Sequence, residues 1–80
     1  MDVLELFIND CCEKGPGYQA AAGQLYQTYV DWCDKSGEYK MRKQKFGAEM
    51  QKKFDKHKRG SFFYLGIRIK SDPRLNFLNN

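Results

Sequence analysis

No uncharged apolar run in this chain approaches the roughly 18–20 residues that cross a bilayer, so no membrane span and no membrane partner is expected. The first residues, Met1-Asp2-Val3-Leu4-Glu5, lack the basic start and apolar stretch of a secretory signal, which predicts an intracellular setting. Cysteine is scarce and odd in number. Cys11, Cys12 and Cys33 without a signal peptide argue against a disulfide framework. His57, the one histidine, would complete a set of four metal ligands. Cys11 and Cys12 are adjacent, however, and no CxxC exists, so no zinc spacing is present and no metal is expected. The thiols read as ordinary buried or half-buried groups.

Catalytic signatures are missing as well. There is no Gly-rich phosphate loop with lysine, no HExxH, no paired carboxylates at a plausible pocket and no Ser/His/Asp order. Cys33 and His57 would at most form a pair without an orienting third group. The expectation is a domain that is not an enzyme, with no catalytic residue, no cofactor and no small-molecule substrate. Internal repeats and low-complexity segments are also absent.

What the chain does have is a lopsided charge. Residues 1–38 carry 7 acidic and 2 basic side chains, a net −5, and residues 39–80 carry 12 basic and 3 acidic ones, a net +9. Such a distribution presents a basic surface to an anionic partner, nucleic acid first. Eighty residues, 41% hydrophobic and 15% aromatic, make one small ordered domain. We place it at residues 1–70, with a tail at 71–80 that Leu75, Phe77 and Leu78 would tack to the surface.

Leu4, Phe7, Ile8, Cys11 and Cys12 recur at helical spacing and predict an amphipathic helix over 3–13, stopped by Lys14-Gly15-Pro16-Gly17. Tyr18-Gln19 reads as a brief extended piece. A second helix runs from Ala20 to Ser36-Gly37, with Leu25, Tyr29, Trp32 and Cys33 as its apolar stripe. A third covers 42–54, where Phe46, Met50 and Phe54 mark the buried face and Gly47 suggests close packing on another helix. From Phe62 to Lys70 the period becomes 2. That alternation puts Phe63, Leu65, Ile67 and Ile69 on the core face and Phe62 and Tyr64 on the exposed one. Lys56-His57-Lys58 would pair with this strand through a turn at Arg59-Gly60-Ser61.

The order helix, short strand, helix, helix, strand, strand is that of an α+β winged helix-turn-helix, with three helices and a small antiparallel hairpin as the wing. In a helix-turn-helix the second helix of the pair enters the major groove, and here that helix is the most basic one. The candidate DNA-binding residues are therefore Arg42, Lys43, Gln44, Lys45, Ala48, Gln51 and Lys52 on the helix, with Lys56, Lys58 and Arg59 on the wing. Lysines neutralise phosphates and release counterions. Gln44 and Gln51 suit base edges, adenine above all. A lysine-rich helix face and lysines on an edge strand also occur as plain solvated surfaces. It is their coincidence on the two DNA-facing elements that favours a double-stranded DNA partner. The second reading is a protein-interaction winged helix that docks an acidic partner or a neighbouring helicase subunit.

The runs Phe7-Ile8-Asn9-Asp10-Cys11-Cys12-Glu13, Leu25-Tyr26-Gln27-Thr28-Tyr29-Val30-Asp31-Trp32-Cys33, Lys45-Phe46-Gly47 and Tyr64-Leu65-Gly66-Ile67-Arg68-Ile69-Lys70 contain a pattern LYxxYxxWC, then xFG, then a closing GIxxK strand. Over residues 3–70 this set resembles the C-terminal domain of phage and plasmid primase–helicase replication proteins. That family includes satellite-phage and pathogenicity-island replication initiators and is related to the poxvirus primase/NTPase. The resemblance implies a winged helix that follows a superfamily 3 or AAA+ type helicase core and binds replication-origin DNA, in the cytoplasm of a bacterial host or virus-infected cell. It also implies that the ATPase and primase motifs lie upstream of this domain. Where the family often has Ser or Thr at the start of the recognition helix, this chain has Arg42.

Overall fold

The computed structural model describes residues 2–70. Its elements, in chain order, are α1 (Val3–Cys11), β1 (Cys12–Ala21), α2 (Ala22–Ser36), α3 (Lys43–Lys53), β2 (Lys56–Arg59) and β3 (Ser61–Ile69). The strands form one antiparallel sheet in the order β1-β3-β2. This is the expected α+β winged helix-turn-helix, with β1 joining the wing as its third strand. The predicted tail at 71–80 lies outside the described residues. No helix among the described residues is long and apolar enough to cross a membrane.

Asp2 caps α1 by accepting a hydrogen bond from the Leu4 backbone N–H at 3.0 Å. Leu4, Phe7 and Ile8 face the core. The helix stops earlier than its apolar spacing predicts, and not at Gly15-Pro16. Cys12 is already extended (φ −133°, ψ 163°) and pairs with Ile69, while the Lys70 backbone N–H donates to the Cys11 carbonyl at 2.6 Å. Pairing with β3 outcompetes one more helical turn. It gives the backbone groups of 12–14 partners and keeps the Cys12 side chain buried.

The same pairing enlarges the brief strand predicted at Tyr18-Gln19 to ten residues. Lys14 opposes Ile67 and Gln19 opposes Leu65, so Gly15-Pro16-Gly17-Tyr18 bulges out across from Gly66. Gly66 has φ +83°, in the left-handed region where a Cβ is strained. This irregularity shifts the two-residue alternation of β3. Tyr64, expected to be exposed, is 1% exposed, and Leu65, expected in the core, is 39% exposed; after the shift Ile67 is buried again.

The core joins all three helices to the sheet. Phe7, Leu25, Tyr29, Phe46, Met50, Tyr64 and Ile67 belong to it, and Phe46 has ring contacts with Phe7, Tyr26 and Tyr29 at 6.3, 5.3 and 4.8 Å between centroids. The three cysteines are free thiols. Cys33 is buried in α2 and His57 is exposed on β2. Burial pushes the Cys12 thiol up to about 12, so it stays protonated and inert at neutral pH.

Candidate nucleic-acid interface

The placement of α3 begins with its connection to α2. Gly37, at φ 71°, ends α2 in a left-handed cap. The following segment is pinned at one residue. Tyr29 Oη accepts from the Met41 backbone N–H at 3.0 Å, and Tyr26 Oη donates to the Met41 carbonyl at 2.9 Å. Both backbone groups of Met41 are thus satisfied by two tyrosines of α2. This accounts for the tyrosines of the LYxxYxxWC pattern. Leu25 and Cys33 fill the core, and Trp32, half-buried, donates its indole N–H to Asp10 at 3.0 Å. Arg42 then sits at the N-cap of α3 and makes no side-chain capping bond.

All ten residues predicted to meet DNA are exposed. On α3 the outward residues are Lys43, Gln44, Lys45, Ala48, Gln51 and Lys52, opposite buried Phe46 and Met50. Their electrostatics differ. Lys45 and Lys52 both turn to Glu49, at 3.4 and 3.0 Å. Hydrogen bonds from Lys52 and then Lys45 hold the Glu49 carboxyl below the ordinary carboxylate range. This triad carries +1 rather than the +2 that counting lysines suggests. Exposed pairs of this kind contribute little to stability, so phosphates can compete for both ammonium groups. Gln51 folds its amide back onto the Gly47 carbonyl at 3.3 Å. Reading a base edge would require that amide to swing out, whereas Gln44 has no competing hydrogen bond among the described residues.

Lys53 breaks from the basic face altogether. It reaches across to α1, 2.8 Å from Glu5 and 3.2 Å from Asp2. Hydrogen bonding from Lys53 holds both carboxyls below the ordinary range, and the pair raises Lys53 in turn. Other cations of the basic half are also paired internally: Lys40 with Asp34 at 3.1 Å, and Arg68 with Glu13 at 2.8 Å. By contrast Arg42, Lys43, Lys56, Lys58 and Arg59 have no carboxylate partner among the described residues.

The wing meets α3 through Tyr64. Its hydroxyl lies 3.7 Å from where a Cβ on Gly47 would stand, so Gly47 faces the sheet and not another helix, and the contact is an ordinary one. Phe62 lies two residues before Tyr64 on the same side of β3. The Lys56 ammonium sits 4.4 Å from the Phe62 ring centre and 5.8 Å from that of Tyr64, and Lys58 sits 5.6 Å from Phe62. Lys56 and Lys58 therefore stand on the sheet face against which α3 packs, while His57 and Arg59 alternate to the other. Sequence reasoning overlooked Tyr39, which stands 87% exposed in the turn that precedes α3. An aromatic residue between Gly37 and the basic helix was the available signal.

No curated protein matches this chain. The poxvirus D5 protein-like family matches residues 1–77, nearly the whole length, and the chain belongs to that family.

Proposed function

We propose that this domain binds double-stranded DNA through the outer face of α3 and the wing, as the origin-recognising C-terminal module of a mobile-element primase or helicase. The observation that carries the reading is the sorting of charge. Lys14, Lys40, Lys53 and Arg68 are satisfied by carboxylates, whereas Arg42, Lys43, Lys56, Lys58 and Arg59 have none among the described residues and lie on or beside the two elements that a winged helix-turn-helix presents to DNA. Lys35 on α2 is the other cation with no hydrogen-bond or carboxylate partner among the described residues. Membership in the poxvirus D5 protein-like family supports a replication-related domain. In this reading the domain performs no chemistry of its own; any ATPase or primase activity belongs to other parts of a longer protein.

The test is a titration of the protein with candidate origin duplex and with random duplex at two salt concentrations. Five phosphate contacts from these cations, rising to seven with Lys45 and Lys52, give a log–log salt slope of about −4 to −6. Replacing Lys58 and Arg59 together by Ala should weaken binding to every duplex and reduce the slope by about 2. Gln44→Ala should instead relax discrimination at one base pair, by about 1–3 kcal/mol for a bidentate contact. Affinity and slope unchanged in the double variant would overturn this placement of the site. A protein-docking role draws on one specific observation, the exposed Tyr39 ring. Self-association in sedimentation, with no DNA binding at low salt, would favour it.

A further inference from the structure

We infer that Phe62 is a stacking platform for one unpaired nucleobase, so that the domain recognises the junction between duplex and single-stranded DNA rather than duplex alone. The inference rests on the DNA-binding reading above and deepens it.

Phe62 has no place in the fold's interior. It is 47% exposed and belongs neither to the core nor to the half-buried residues packed against it. Its strand neighbour Tyr64, on the same face, is fully buried, so the core ends between these two residues. An aromatic ring left in water beyond the edge of the core contributes little to folding. Its surroundings suit a nucleotide. Lys58 lies directly opposite Phe62 in the β2–β3 register, Lys56 is two residues away on the same face, and both ammonium groups lie over the ring at 5.6 and 4.4 Å. Neither lysine has a carboxylate partner among the described residues. The flat ring offers stacking to a base once the two ammonium groups move off it onto the flanking phosphates, the combination of aromatic face and positive charge that holds single strands without reading sequence.

The partner must have a free base face. Inside a duplex both faces of each base are already stacked on neighbours. Only an overhang, fork or melted step can offer one to Phe62. The wing also fixes where that base lies relative to the duplex. Tyr64 joins the same strand face to Gly47 in the middle of α3, so Phe62 stands two residues beyond the point where the wing meets that helix.

The experiment compares fluorescence-anisotropy titrations of the chain with a flush duplex, the same duplex carrying a short thymine overhang, and the free overhang strand. Wild-type protein should bind the overhang duplex about tenfold more tightly than the flush one. Phe62→Ala and Phe62→Leu should each remove that preference and leave flush-duplex affinity unchanged, while Phe62→Tyr and Phe62→Trp preserve it. The Leu variant separates a flat ring from mere apolar bulk. A thermal melt of each variant checks that the fold persists, and photo-crosslinking from a bromouracil in the overhang should map to Phe62 or its strand neighbours. Equal wild-type affinity for flush and overhang duplexes overturns the platform while the duplex reading stands. Equal weakening of both substrates by Phe62→Ala, or retention of the preference in Phe62→Leu, also overturns it. Failure of the wild type to bind any of the three DNAs at low salt overturns the duplex reading and the platform together.

Discussion

Lys52 and Lys53 are neighbours in the chain and do opposite things. Lys52 stays on the outer face of α3, 71% exposed at its side chain, and shares Glu49 with Lys45. Lys53 turns inward and ties the end of α3 to the first turn of α1 through Asp2 and Glu5. One residue of helical rotation, about 100°, separates a charge available to a partner from a charge consumed by the fold. The net +9 of the second half therefore overstates the field that the domain presents. Lys53, Lys40 and Arg68 are spent holding that half to the acidic first half, and the other cations of the second half among the described residues, apart from Lys70, which donates to the Asn9 carbonyl, gather on the outer face of α3 and on the wing.

The largest effect that breaks this comparison comes from the buried side of α3. Phe46→Ala removes the ring that joins α3 to Phe7, Tyr26 and Tyr29 and should cost about 3–5 kcal/mol. Thermal unfolding would show a drop of well over 10 °C, since about 1 kcal/mol moves Tm by roughly 4–8 °C in a domain of this size. Both faces of the helix should fail together, and DNA affinity should be lost with the fold.

A smaller loss is expected at the bulge. Gly66→Ala forces a side chain into φ +83° and should destabilise by about 1–2 kcal/mol, as read by urea denaturation. Since Gly66 lies away from the outer face of α3, the DNA salt slope should not change. Gly47→Ala runs in the other direction. The new Cβ would stand 3.7 Å from the Tyr64 hydroxyl, an ordinary contact, and replacing a helical glycine gains up to about 1 kcal/mol. A melting temperature lower than wild type would show that the α3–wing contact has less room than this distance indicates.

The sharpest test of the two lysines has the smallest effect on stability. Lys53→Ala should cost less than about 1 kcal/mol near neutral pH and leave the DNA salt slope alone, whereas Lys52→Ala should leave stability alone and lower the slope by about 1. Acidity separates them further. The Asp2 and Glu5 carboxyls sit below their ordinary values when folded, so their contribution is present above the ordinary carboxylate range near pH 4 and is lost as pH falls through the lowered folded values. Lys53 is raised, so its share persists at lower pH and is lost only as pH rises through its elevated folded value. Stability measured from pH 6 to pH 3 should therefore fall less steeply in Lys53→Ala than in the wild type. Parallel curves would show that the bridge to α1 contributes nothing in solution.

Much of this was legible because the signals were local. The 3.6-residue stripes of α2 and α3 placed Leu25, Tyr29, Phe46 and Met50 correctly, since one helix face repeats wherever it packs. The wing turn at Gly60 and the exposure of the ten candidate residues followed from the same periodicities. Apart from the overlooked Tyr39, the misread boundaries and faces lie where a distant strand intervenes. The end of α1 and the length of β1 depend on β3, more than forty residues later in the chain. Tyr64 and Leu65 exchanged faces because the bulge opposite Gly66 shifts the alternation, and a two-residue period carries no mark of where it slips.

The sequence by itself determined which segments are helix and which are wing, where the basic charge falls along the chain, and which stripes are apolar, because each follows from nearest-neighbour chemistry along one backbone. Only the tertiary structure decided which cations remain uncompensated. Whether Lys53 finds Glu5, Arg68 finds Glu13, or Lys58 finds the ring of Phe62 depends on chain segments brought together by folding, and Coulombic attraction and hydrogen bonding act over a few ångströms in space, whatever the separation along the chain.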